Sequence, residues 1–201
     1  GGATLGNSWI QVADPANIAS WKSGANGVGY ETFPADYASL IQVDVSEMSG
    51  VNATCFVRIP FSIPDQATLD AVDTLTLNMR YDDGYVAYLN GTRISARNAP
   101  PLADLRWIAR SSAEHPNSLA VIYDPEDVTS HIDQLVVGPN LLAIHALNRR
   151  ENSNDLLIMA LLTGTSSGTA SDVNTHTVAY SNAFAITGSE TITARFRANN
   201  G

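Results

Sequence analysis

Two adjacent carboxylates, Asp82 and Asp83, stand immediately before Gly84. Paired acids in a tight turn bring hard oxygen donors together with backbone carbonyls, which is the chemistry that binds calcium. Glu31 is the third acid assigned to such a site, with Asn90 or Asp155 as further oxygen donors. The competing reading is mechanical: a turn aspartate bonds nearby backbone amides and sets the bend with no ligand. A second group of residues has the chemistry of sugar recognition. There an aromatic face covers the apolar side of a ring, and a few fixed polar groups meet its hydroxyls. Trp107 and Tyr85 supply the aromatic part, and Arg58, Asn78, Arg80 and His145 the polar part, provided their strands lie side by side. Trp107 sits in a loop-rich stretch, and Tyr85 follows the tight turn, where a sandwich rim is expected. The alternatives are a ladder of charge and amide pairs on a solvated sheet face for the polar set, and a loop anchor for Trp107.

Catalytic signatures are missing. The chain has no nucleophile elbow, no HExxH and no phosphate loop. Its acids are numerous, but none stands in a recognisable catalytic context, so the expectation is a non-enzyme. His115, His131, His145 and His176 are scattered with no i,i+4 pairing, which argues against a transition metal. The single cysteine, Cys55, lies in an apolar run, permits no intrachain disulfide and reads as a small core residue. Twenty acids against eleven bases give a formal charge of −9. That excludes nucleic acid as a partner, because phosphate binding needs a basic footprint. It also disfavours acidic polysaccharides overall, while leaving room for a local arginine cluster. No apolar run approaches the ~20 residues that a membrane helix needs, so no membrane insertion is expected.

The elements that must position these residues read as short strands. Residues 54–63 place Cys55, Val57, Ile59 and Phe61 on one face, with Phe56 and Arg58 on the other. Residues 74–81 alternate more cleanly: Leu75, Leu77, Met79 and Tyr81 point one way, and Thr76, Asn78 and Arg80 the other. Further strands are expected over 39–45, 85–89, 119–123, 140–148 and 155–162, and short helical turns over 64–72 and 124–135. Trp9 and Trp21 read as core. Asp83-Gly84 and Asn90-Gly91 are strong turn signals, so residues 82–91 read as a strand, a sharp turn, a strand and a second turn. Regular short strands with such punctuation predict an all-β antiparallel sandwich. Residues 1–162 form the expected module, 163–171 a small polar linker, and 172–201 a truncated β segment of a following unit.

The hairpin-like run Asp82-Asp83-Gly84 through Tyr88-Leu89-Asn90-Gly91 resembles the "DDG…YLNG" signature of galactose-binding-like jelly-roll domains. Trp21 with Gly27-Val28-Gly29-Tyr30-Glu31, Arg58 in its strand, and Gly138-Pro139-Asn140-Leu141-Leu142-Ala143-Ile144-His145-Ala146-Leu147-Asn148 extend the likeness. His145 stands where that pattern commonly has Gln. The resemblance implies a jelly-roll sandwich with a short C-terminal β appendage, of a kind repeated in large exported proteins of planctomycete-like bacteria. It further implies a carbohydrate-binding accessory role, secretion or display at the cell surface, neighbouring domains of the parent chain as partners, and a structural calcium. The runner-up expectation is a spacer or adhesive module with no glycan ligand.

Overall fold

The computed structural model describes residues 6–33 and 36–166, together with the backbone of two short C-terminal strands. The chain forms β1 (Lys22–Gly24), β2 (Val28–Glu31), β3 (Val43–Asp44), β4 (Thr54–Ile63), β5 (Thr74–Asp82) and β6 (Gly84–Leu89). It continues through β7 (Thr92–Arg97), β8 (Asp124–Asp127), β9 (Gly138–Leu147), β10 (Asp155–Thr165), β11 (Ala183–Ile186) and β12 (Ile192–Arg195). These strands make two sheets. The first runs β1-β12-β4-β9-β6-β7; the second runs β3-β2-β10-β5-β8, with β11 also paired to β10. The fold is an all-β sandwich, antiparallel except for the β2–β3 pair.

Period-2 alternation determines which side chains enter the core. Cys55, Val57 and Ile59 of β4 meet Leu75, Leu77, Met79 and Tyr81 of β5 in one cluster between the sheets, as the pattern predicts. The β4–β9 ladder holds its register from Thr54 opposite Leu147 to Ile63 opposite Gly138. On the outer face of the first sheet a second layer forms, where Trp9, Ile10 and Trp21 pack on Phe56, Leu141 and Ala143. Each tryptophan there removes on the order of 200 Å² from water, worth ~5 kcal/mol before entropy is counted. Burial on that scale pins the N-terminal segment across the sheet. Gly29 allows the close β2–β10 contact, since a Cβ there would collide with the Leu156 carbonyl oxygen.

Several expectations change. β5 and β6 do not pair with each other: β5 belongs to the second sheet and β6 to the first. Asp82-Asp83-Gly84 is therefore a corner that carries the chain between sheets, not a hairpin turn. The true hairpin joins β6 to β7 around Asn90-Gly91, both at positive φ (49° and 92°), as a tight two-residue turn requires. Residues 119–123 give a helical turn at Asn117–Ala120 instead of a strand, and 124–135 give β8 before a 3-10 turn at Thr129–Gln134. Residues 39–45 form the 3-10 turn Ala38–Leu40 and the two-residue β3. The helical turn Gln66–Asp70 appears as expected, with the Asp65 carboxylate accepting the Thr68 amide at 2.8 Å. β10 continues through Thr165, past the boundary placed at 162, while β11 pairs with β10 and β12 pairs with β1 and β4. Linker residues 167–171 and His176 lie outside the described residues.

Candidate functional site

The corner acids are engaged with the backbone. Asp83 accepts the His115 amide on Oδ1 at 3.0 Å and the Arg149 amide on Oδ2 at 2.7 Å, tying three loops together. Glu31 accepts the amides of Asp36 and Tyr37, one on each carboxylate oxygen, at 2.5 and 2.9 Å. Asp82 is buried, and that burial, followed by the charges of Asp83 and Asp155, pushes its carboxyl up to about 9. It therefore stays protonated at neutral pH. Asp155 takes hydrogen bonds from Asn117 Nδ2 and Ser153 Oγ. Among the described residues no three His, Cys, Asp or Glu side chains converge as metal ligands. The oxygens of Asp83 and Glu31 together accept four backbone amides, so these carboxylates hold the corner to its neighbouring loops.

The six residues expected to bind sugar do not share one surface. Asn78 and Arg80 lie on the outer face of the second sheet, where the Arg80 guanidinium sits 4.2 Å from the Tyr123 ring centroid. Arg58 and His145 lie on the outer face of the first. Alternation says which face of a strand a residue occupies, but not which sheet the strand joins, and β4 and β5 are in different sheets. Arg58 is a clamp: its Nη1 donates to the Trp9 and Gln11 carbonyls at 2.7 and 2.8 Å, and its Nη2 reaches Asp14 at 2.9 Å. Tyr85 is 1% exposed, in the core and not at the rim. It meets Tyr81 edge-on at 4.9 Å and shares a hydrogen bond with Ser95. Burial raises its phenol pKa.

His145 and Trp107 do come together, at a cavity of about 550 Å³ on the outer face of the first sheet. Trp9, Phe56 and His145 form an aromatic floor, with Phe56 4.5 Å from Trp9 and 4.7 Å from His145. Tyr88 and Trp107, both half-buried, also line the cavity, as do the exposed Arg93 and Arg106. Tyr88 contacts Trp9 edge-on at 5.5 Å. The Trp107 carbonyl accepts from Thr54 Oγ1 at 2.5 Å and Asn52 Nδ2 at 3.4 Å, so the loop carrying the indole is fastened to β4. Burial drives the His145 pKa down to about 3, leaving a neutral imidazole. Its Nε2 has no hydrogen-bond partner among the described residues. A buried polar atom left in this way costs on the order of 1–3 kcal/mol.

Sequence reasoning misses Trp9, Tyr88, Arg93 and Arg106 as site residues. Trp9 reads as core, and it does pack there, but its position makes it part of the cavity as well. The Leu105-Arg106-Trp107 run stands out in the sequence only through its tryptophan.

Fold and site together define an all-β sandwich with an aromatic, arginine-bearing cavity on the outer face of one sheet. No family model matches the chain, and no curated protein matches it. Solved structures it resembles include an α-L-rhamnosidase from Aspergillus terreus, at 16% identity over 78% of this chain and 16% of that one, with a TM-score of 0.37. Another is an α-L-rhamnosidase from Streptomyces avermitilis complexed with L-rhamnose, at 18% identity over 74% of this chain and 12% of that one, with a TM-score of 0.39. The chain thus spans less than one-fifth of the length of either enzyme.

Proposed function

We propose that this chain is a non-catalytic carbohydrate-binding module of an exported multidomain protein, taking a poly- or oligosaccharide in the cavity between Trp107 and His145. The observation that carries the reading is the cavity's composition: a half-buried tryptophan and tyrosine over an aromatic floor, with two exposed arginines at its wall. Its volume falls in the range of small-ligand sites, roughly 300–1,000 Å³. Hydrolysis of a glycosidic bond ordinarily needs two carboxyl groups flanking it. Among the described residues lining this cavity there is no Asp or Glu, so such a pair does not stand among them. Export and neighbouring domains of the parent chain belong to the same reading and follow from the jelly-roll resemblance.

Glycan arrays and affinity gels over neutral and acidic plant and marine polysaccharides test it, with Trp107→Ala beside the wild type. The expected result is saturable binding that weakens about tenfold in the variant, equivalent to ~1.4 kcal/mol. Folded protein that is blank on both formats overturns the reading and leaves a spacer module.

A further inference from the structure

We propose that the saccharide taken by this cavity is anionic, its carboxylate or sulfate held by Arg93 and Arg106; the inference rests on the carbohydrate-binding reading above. The chain carries a formal charge of −9, yet the described residues lining the cavity include two arginines and no acid. Elsewhere several arginines are engaged: Arg58 with Asp14, Arg97 with Glu126, Arg110 with Glu151. Arg93 and Arg106 make no ion pair among the described residues. Both are exposed at the cavity.

Each lines the cavity together with aromatic residues. Arg93 lies on β7 directly opposite Tyr88 of β6, next to a register shift between Ala87 and Tyr88. Such a bulge re-aims the side chains around it. Its charge is felt at the Tyr88 phenol. Arg106 precedes Trp107, whose carbonyl is fastened to β4. A cavity lined by aromatic rings and two exposed arginines suits a sugar ring that carries an acid group: an aromatic covers the C–H face while a planar fork takes the anion with two parallel hydrogen bonds. The acidity of the remaining surface does not prevent this, since charges more than ~8 Å away are largely screened at physiological salt. A polymer lying across the whole face would bring its anionic groups within that distance of surface acids, so a short anionic oligosaccharide, or the end of a chain, is favoured.

An array of matched oligosaccharides tests the proposal: galactose and galacturonate oligomers, glucose and glucuronate oligomers, and O-sulfated galactose oligomers. The strongest pair is then titrated calorimetrically at low and high NaCl, roughly 50 and 500 mM, a span that shortens the screening length several-fold. The anionic member is expected to bind at least about tenfold tighter than its neutral counterpart at low salt, with most of that preference lost at high salt. Arg93→Gln and Arg106→Gln should each reduce it several-fold and together abolish it, with unchanged Tm because both residues are exposed. Sulfated oligomers that bind as well as uronates identify charge as the recognised feature; uronates alone identify the planar carboxylate; either supports the proposal. Neutral sugars bound as tightly as acidic ones, or a double variant that keeps the preference, overturns it and leaves the carbohydrate-binding reading standing. Blank arrays for every sugar overturn both.

Discussion

Replacing Asp82 with asparagine should make the protein more stable at pH 8 and abolish a pH dependence of the wild type. In the folded chain Asp82 is 2% exposed, and its carboxyl is raised from 3.8 to about 9 by burial and by Asp83 and Asp155. Between those values the folded state holds a proton that the unfolded chain releases. This group's contribution is thus full at low pH and is lost as pH rises, by ~1.4 kcal/mol per pH unit. His145 acts in the opposite sense, because its pKa falls from 6.5 to about 3, and its effect ends near pH 6.5. The window from about pH 6.5 to 8 therefore isolates Asp82 from His145. Across it the wild type should lose about 2 kcal/mol, or roughly 4–8 °C in Tm for a chain of this size. An asparagine side chain matches the neutral acid in shape and carries no proton to lose, so Asp82→Asn should be nearly flat. Urea unfolding at half-unit steps and constant ionic strength reads the midpoints. A wild-type midpoint that does not fall over this window, or one that falls equally in the variant, refutes the reasoning.

From about pH 4 to 6.5 the His145 gain and the Asp82 loss, each ~1.4 kcal/mol per pH unit, offset one another, so the wild type should be nearly flat there and His145→Gln should lose stability as pH rises in the same urea series. Arg58→Ala strips the donor from the buried Trp9 carbonyl and the Gln11 carbonyl and should cost about 3 kcal/mol, with red-shifted tryptophan emission as the N-terminal segment lifts. Arg58→Lys should not restore it, and a loss below about 1 kcal/mol would show that the clamp is incidental. Treatment with EDTA should leave Tm unchanged, because the oxygens of Asp83 and Glu31 already hold backbone amides. A rise in Tm when calcium is restored would overturn that account.

The faces of β4 and β5 are legible in the sequence because burial on one side of a sheet imposes a period of two, and Leu75, Leu77 and Met79 obey it. Sheet membership is not, since alternation looks the same in either sheet. That is why Asp82-Asp83-Gly84 reads as a hairpin: a corner between sheets and a turn within one both ask for a short polar residue and a glycine. Asn90-Gly91 reads correctly, because two successive residues at positive φ narrow the chemistry to this pair. What the corner adds is visible only in three dimensions, where the oxygens of Asp83 meet amides 32 and 66 residues away in sequence. The cavity is half legible. Trp107 and His145 stand out by type and place, but Arg93 and Arg106 carry no local signal; their meaning comes from the absence of acids among the described residues lining the cavity.

The insertion of β12 between β1 and β4 has a consequence for any shortened form of the chain. β4 pairs with β9 on one side and with β12, opposite Phe56–Arg58, on the other. A protein cut after Thr165 would present that side of β4 as an open edge, a template for another molecule's backbone. Self-association of such a truncate, relieved by a peptide carrying the β12 sequence supplied in trans, would make the C-terminal strand a donor that seals the sandwich from outside the fold's contiguous sequence.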